Sequence, residues 1–275
     1  MAFISYAQNF EDVTLWRALR LFGPGHYIDV GANHPTHDSV TRAFYERGWR
    51  GVNIEPVEHY HEALCAERPG DVNLCVAVGP AAGELTFYEN CDSGLSTPSE
   101  AMREMQESAG IQFVPRTVRA MRLDAICQDY LPTDKPFHFL KIDVEGFELQ
   151  VLQSMDFSRW RPWIVVLECP FDKQPDWEEL MIAAGYQHAY GDGINRYWVA
   201  SERDHLLPAF SLPPNILDEF KLCPGHVLAS EGPEVQTLRD ALMQAQQQLQ
   251  TLQGSRSWRL VRRLARMKAT LGRFL

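Results

Sequence analysis

Four carboxylates each close a short apolar run: Asp29 after Tyr27-Ile28, Glu55 after Gly51-Val52-Asn53-Ile54, Asp143 after Phe139-Leu140-Lys141-Ile142, and Glu168 after Ile164-Val165-Val166-Leu167. Parallel strands of an open α/β sheet point their C-terminal ends at one crevice, where ligands bind. Four acids at one edge repel one another unless they hold hydroxyls, face a cation or take a proton.

The first acid opens Asp29-Val30-Gly31-Ala32-Asn33. A glycine there lets the backbone come close to a nucleotide-like ligand. Glu55, at the end of the next run, stands where an acid accepts both ribose hydroxyls. Enzymes using NAD and enzymes using S-adenosylmethionine (SAM) share that arrangement. The full GxGxxG series is absent, since Asn33 and Pro35 occupy its later positions, which counts against NAD. An acid two residues before the glycine suits the ammonium group of SAM. Taken alone, the Asp29–Asn33 stretch also reads as a plain strand-to-helix turn.

Asp143-Val144-Glu145-Gly146 follows the later run. Asp143 belongs beside the cofactor's reactive end or serves as an N-cap. Glu145 falls in the first turn of the next helix, where the dipole favours an acid. If Glu168 faces Asp143, either one of them has a raised pKa and acts as a base, or the pair shares a hard divalent cation. His34 and His37 lie in the turn after the first run. Either is a candidate base or a solvated loop residue. The remaining histidines show no metal-ligand spacing. Ser93 and Ser96 sit in a glycine-containing loop that either touches substrate or is a surface turn.

The elements that must position these residues alternate. A helical cap over residues 1–25 ends at Gly23-Pro24-Gly25. Strands are expected at 27–30, 51–54, 72–78, 137–142 and 163–167, with helices at 39–47, 59–67, 123–130, 145–155 and 177–184. A strand at 84–88, a polar loop over 89–116 carrying a helix at 99–109, and a short strand at 119–123 interrupt the series. A closing antiparallel pair is expected at 186–190 and 195–200. Right-handed βαβ units and a mostly parallel sheet follow.

Three segments result: residues 1–205 as one α/β domain, 206–233 as a Pro-rich linker or wrapping segment, and 234–275 as a helical tail. Val235, Leu238, Leu242, Ala245, Leu249 and Leu252 form an a/d seam, which suggests an oligomer contact. Beyond it, residues 256–275 carry six arginines and one lysine and no acid, although the whole chain is −10. So acidic a body is a poor binder of nucleic acid. The basic amphipathic tail is read as docking to an anionic membrane face or an assembly complex, or as packing on its own acidic body. Six scattered cysteines without a CxxC pair and no evident secretory signal suggest a cytoplasmic location, with the tail at the inner face of the membrane as one extension.

Together, Ser5–Asp12 (SYAQNFED), 27–35 (YIDVGANHP), Ser39–Thr41, 44–56 (FYERGWRGVNIEP), Arg68-Pro69, Ala77-Val78-Gly79, Ser96-Thr97, 140–147 (LKIDVEGF), 148–152 and 161–168 resemble the FkbM family of SAM-dependent methyltransferases. The resemblance covers about residues 5–200. It implies a class I methyltransferase, Rossmann-like fold: a doubly wound, mostly parallel seven-stranded sheet with an antiparallel closing strand. It implies O-methylation of a hydroxyl, on a sugar of a bacterial surface polysaccharide or on a glycosylated natural product. SAM contacts would come from Asp29, Gly31, Ala32, Asn33, Ser39, Glu55, Pro56, Ala77, Val78 and Asp143. Asp143, Glu145, Glu168 and His34 are the candidate catalytic groups, with a divalent cation as an optional partner of the acids. The Ser257-Trp258-Arg259 start of the basic tail is similar to the ends of some surface-polysaccharide glycosyltransferases. Two competing readings are an NAD-type oxidoreductase, disfavoured by the missing glycines, and a non-catalytic scaffold, disfavoured by the four retained acids.

Overall fold

The computed structural model describes residues 2–90, 94–169, 175–229 and 242–243. Ser93, most of the a/d seam and the basic tail lie outside the described residues. Contacts divide the chain after His226, and the fold below is that of the first unit.

The chain opens with β1 (Phe3–Ser5) and α1 (Glu11–Leu19), followed by β2 (His26–Val30), α2 (Arg42–Tyr45), β3 (Arg50–Ile54), α3 (Glu58–Glu67) and β4 (Val72–Leu74). Next come β5 (Ala77–Val78), β6 (Gly83–Glu89), α4 (Glu100–Ser108), β7 (Val114–Met121) and α5 (Leu123–Tyr130). The remainder is β8 (Phe139–Ile142), α6 (Glu148–Gln153), β9 (Ile164–Glu168), α7 (Glu178–Ala183), β10 (Tyr186–Gly191), β11 (Asn195–Ala200) and β12 (Phe220–Leu222).

The central sheet has seven strands in the order β10-β11-β9-β8-β2-β3-β4. The run from β4 to β9 is parallel. β11 is antiparallel to both its neighbours. This is the mostly parallel sheet expected from the strand spacing, and the doubly wound, seven-stranded arrangement that the resemblance implies. The chain builds outward from β2 to β4, then returns to the other side of β2 with β8. Strand order reverses there, so a crevice opens beyond the C-terminal ends of β2 and β8.

Side-chain alternation explains why the strands read as unbroken apolar runs. Ile28, Val30, Leu140, Ile142, Val165 and Leu167 face one layer, against Ile126, Val151, Leu152 and Met181 of the helices. Tyr27, Phe139, Ile164 and Val166 face the other, against Leu15, Leu19, Phe44 and Trp49.

Four local expectations change. The strand expected over 72–78 is two strands: Val72–Leu74 pairs with β3, and Ala77–Val78 pairs in parallel with β7. β7 begins at Val114 and runs antiparallel to the whole of β6, so much of the supposed short strand belongs to a longer ribbon. The helix after Glu145 starts only at Glu148, because Glu145 and Gly146 both have positive φ, 53° and 84°. The helix at 39–47 shrinks to Arg42–Tyr45, since Ser39 and Thr41 turn their hydroxyls to a buried arginine (below). The segment after Ala200 makes 3-10 turns over Ser201–Phe210. β12 then pairs in parallel with β1. Arg17 of α1 clasps this return, donating to Asp218 at 2.6 and 2.7 Å and to the carbonyls of Ala209 and Leu212.

Candidate active site

A cavity of about 610 Å³ opens at the C-terminal ends of β2, β3 and β8. One side is formed by Gly31, Ala32, Asn33, Glu55, Pro56 and the strip Val76-Ala77-Val78. The opposite side carries Lys141, Asp143, Glu145, Glu168 and Asn195, with Gln8 and Glu11 from the N-terminal cap.

The glycine turn is built as its sequence requires. Gly31 has φ 77°, and a Cβ there would stand 1.9 Å from the carbonyl oxygen of Asp143. The ends of β2 and β8 thus meet backbone to backbone, and only glycine fits. The N–H groups of Gly31 and Ala32 both donate to the carbonyl of Ile54. Glu55 is buried. Its Oε2 accepts from the backbone N–H of Asn33 and its Oε1 from that of Val57, both at 2.8 Å. Burial pushes its carboxyl up to about 7, against the pull of those two N–H groups. Each oxygen keeps a lone pair for a ligand hydroxyl.

Two expected cofactor residues do not line the cavity. Asp29 is 1% exposed and lies behind the wall. Its Oδ2 accepts from Thr41 Oγ1 at 2.8 Å, and its Oδ1 has no hydrogen bond. Ser39 is buried against Arg68, whose guanidinium donates to it. Arg68 is wholly buried and also donates to Thr41 Oγ1 at 2.6 Å and to the carbonyl of Pro35. A relay Arg68–Thr41–Asp29 therefore braces the turn from beneath. Arg68-Pro69 lies within the family resemblance, but Arg68 was given no role from sequence, since nothing local shows which hydroxyls it meets.

Lys141 fills the space that a direct contact from Asp29 would need. Its Nζ donates to the Gly31 carbonyl at 2.9 Å and lies 3.2 Å from Asp143 and 3.5 Å from Asp29. Burial works against its charge, but Asp143 and then Asp29 outweigh it and hold the amine above its ordinary value.

Beyond Lys141, carboxylate oxygens of Asp143, Glu145 and Glu168 all lie within 4.8 Å of one another. Burial, then the charge of Asp143, raises Glu145 to about 8. The same two causes, in the same order, raise Glu168 well above the carboxylate range. Both therefore favour the protonated form at neutral pH. Glu145 sits in the positive-φ turn, not in a helix. Thr97 Oγ1 donates to its carbonyl at 2.7 Å, which ties the 94–98 loop to the acids. Gly94 of that loop packs on Asn33, where a Cβ would come within 2.6 Å of the side-chain amide.

His34 lines the cavity. Its Nδ1 accepts from the N–H groups of Thr36 and His37, so the neutral ring carries its proton on Nε2 and offers a donor. That tautomer suits ligand contact better than the base role expected from sequence.

Glu11 and Asn195 were also missed. Glu11 reads as an ordinary first-turn acid of α1, yet it is buried in the cavity wall. Asn195 Nδ2 donates to its Oε1 at 2.8 Å, and burial followed by nearby Asp192 keeps its carboxyl near 7. Asn195 pairs across the sheet with Glu168, which places this polar wall next to the acid cluster.

The methyltransferase FkbM domain family matches residues 29–188, more than half of the chain. Among solved structures, methyltransferase FkbM from Methylobacillus flagellatus KT shares 14% identity at a TM-score of 0.40. That alignment covers 64% of this chain and 43% of the other, so the chain spans less than half of that protein's length. Precorrin-6y C5,15-methyltransferase from Geobacter metallireducens GS-15 shares 13% identity at a TM-score of 0.34, covering 71% of this chain and 92% of that one. Curated proteins give no match.

Proposed function

The chain belongs to the FkbM methyltransferase family, and on that premise we propose that it transfers a methyl group from SAM to a hydroxyl of a sugar, on a surface polysaccharide or a glycosylated metabolite. The observation that carries this reading is the cluster of Asp143, Glu145 and Glu168 in the same cavity as the Gly31 turn and Glu55.

The residues present fit SAM. The Gly31–Asn33 backbone admits close approach, Glu55 can accept two hydroxyls, and Val57 with Val76–Val78 offers an apolar slot for a flat ring. Bound SAM would supply an electrophilic methyl group on a sulfonium. A cationic cofactor next to Lys141 needs compensation, which Asp29 and Asp143 provide. Asp143 would accept the hydrogen bond of the acceptor hydroxyl, orient its oxygen and take its proton as the carbon–oxygen bond forms and the methyl's bond to sulfur breaks, leaving the neutral thioether S-adenosylhomocysteine. Glu145 and Glu168, holding protons themselves, donate to neighbouring oxygens of the acceptor. Gln8, Glu11 and Asn195 add donors and acceptors suited to a polyhydroxylated molecule.

A hard divalent cation held by the three acids is a second reading, supported by their mutual spacing. In that case EDTA would abolish turnover and magnesium would restore it. No helix among the described residues is long and apolar enough to cross a membrane. Docking of the basic tail to an anionic membrane face is part of the proposal, tested by liposome flotation of the full chain against a version ending at Glu231.

The central test is Asp143→Ala. Formation of S-adenosylhomocysteine with a polysaccharide acceptor should vanish while SAM binding persists, and near-normal turnover would reject the role. Mass spectrometry of surface polysaccharide made with and without this protein should show one lost methyl group.

A further inference from the structure

A second cavity, about 250 Å³, opens at the opposite edge of the central sheet. It is walled by His26 at the start of β2, by the loop 131–137 leading into β8, and by the segment 159–163 leading into β9. Lys135, Arg159, Arg161 and Arg203 bring four cations to this wall, and no carboxylate lines it. Arg161 is already paired, holding Glu202 at 2.8 and 3.0 Å. Lys135, Arg159 and Arg203 make no ion pair within 4.0 Å among the described residues, while Asp134, Asp156 and Glu202 act on this wall from further off. Arg159 donates only to the neutral amide of Gln128, at 3.0 Å.

Two tryptophans hold the guanidinium groups in place. Arg203 lies 4.2 Å over the Trp163 ring and Arg159 lies 5.1 Å over Trp160. Three side-chain nitrogens of this wall are buried without a hydrogen-bond partner: Nδ1 of His26, Nε1 of Trp160 and Nε of Arg203. The buried N–H groups of Trp160 and Arg203 are costly without an acceptor, and an anion drawn by the surrounding cations would meet them. Planar guanidinium groups match the oxygens of phosphate.

We propose that this pocket binds a phosphate or diphosphate group. It lies a strand's length from the Gly31 turn, about 16 Å for five residues, so its ligand does not compete with the cofactor. The proposal stands independently of the methyl-transfer reading.

The test titrates the full chain with inorganic phosphate and with pyrophosphate at constant ionic strength, following tryptophan fluorescence and calorimetry. At least one should bind saturably with a dissociation constant near or below about 1 mM. Lys135→Gln and Arg159→Gln alter exposed side chains and should each weaken it about tenfold or more, while S-adenosylhomocysteine binding stays unchanged. Tighter binding of pyrophosphate would identify a diphosphate-bearing ligand, tighter binding of phosphate a monoester or the free ion. Absence of saturable binding by both, equal affinity in both variants, or displacement by S-adenosylhomocysteine would overturn the proposal.

Discussion

Lys141 Nζ lies 3.5 Å from Asp29 Oδ1, joining the end of β8 to the end of β2 beneath the cavity. The same ammonium reaches Asp143 at 3.2 Å. A single buried cation thus lets two strand-end carboxylates coexist at the floor of the cavity. Lys141→Met leaves both acids without that partner. The expected loss is about 3–5 kcal/mol of stability in urea unfolding. A loss below about 1 kcal/mol would show that the bridge is incidental.

Gly31→Ala tests the backbone contact directly. Its φ of 77° and the 1.9 Å approach to the Asp143 carbonyl forbid a Cβ without separating β2 from β8. The variant should melt several degrees lower and fail to bind S-adenosylhomocysteine in calorimetry. Wild-type affinity would contradict the close approach.

Glu55→Ala removes both the proposed ribose acceptor and the anchor for the Asn33 and Val57 N–H groups. Cofactor affinity should fall about ten- to a hundredfold. An unchanged dissociation constant would take Glu55 out of the site.

Stability should decline as pH rises through neutrality. Burial raises Glu11, Glu55 and Glu148 from an ordinary 4.5 to about 7. Between those values the folded chain holds protons that the unfolded chain releases, so raising pH destabilises. His138 acts in the opposite sense: burial lowers it from 6.5 to about 4, so its contribution rises with pH and is complete near 6.5. Between about pH 5 and 7 the acids outnumber the histidine, and Glu145, raised by burial from 4.5 to about 8, carries the fall beyond 7. The melting temperature of the ligand-free protein should therefore fall from about pH 5 to 8, most steeply below 7, each acid contributing at most about 1.4 kcal/mol per pH unit. Glu11→Gln should flatten the fall; a rise across this interval would contradict the assignment.

The strand-end acids were legible because an apolar run followed by a carboxylate is a local signal. What those acids touch was not. Asp29 is screened from the cavity by Lys141, an interior strand residue whose side chain no periodicity rule assigns to a site. Glu11 lies inside the expected helical cap with no local mark of a site, and only the return of β11 beside α1 gives it Asn195. The helix expected from Glu145 was misplaced because its apolar spacing continues from Glu148, while the two positive-φ residues before it leave little trace beyond Gly146. β7 was cut short because Pro115, Arg116 and Thr117 are exposed where β7 pairs with β6 alone, and no core face imposes alternation there.

The pairing of β1 with β12 sets a timetable. Phe3–Ser5 finds its partner only at Phe220–Leu222, and Ala7 accepts from His226, 219 positions later. During synthesis the sheet, the glycine turn and the acid cluster can be complete while the cap that carries Gln8 and Glu11 still lacks its outer strand. Closing so long a loop is slow relative to local helix and hairpin formation. The wall that carries Gln8 and Glu11 is thus expected to be the last part of the cavity to gain its outer support.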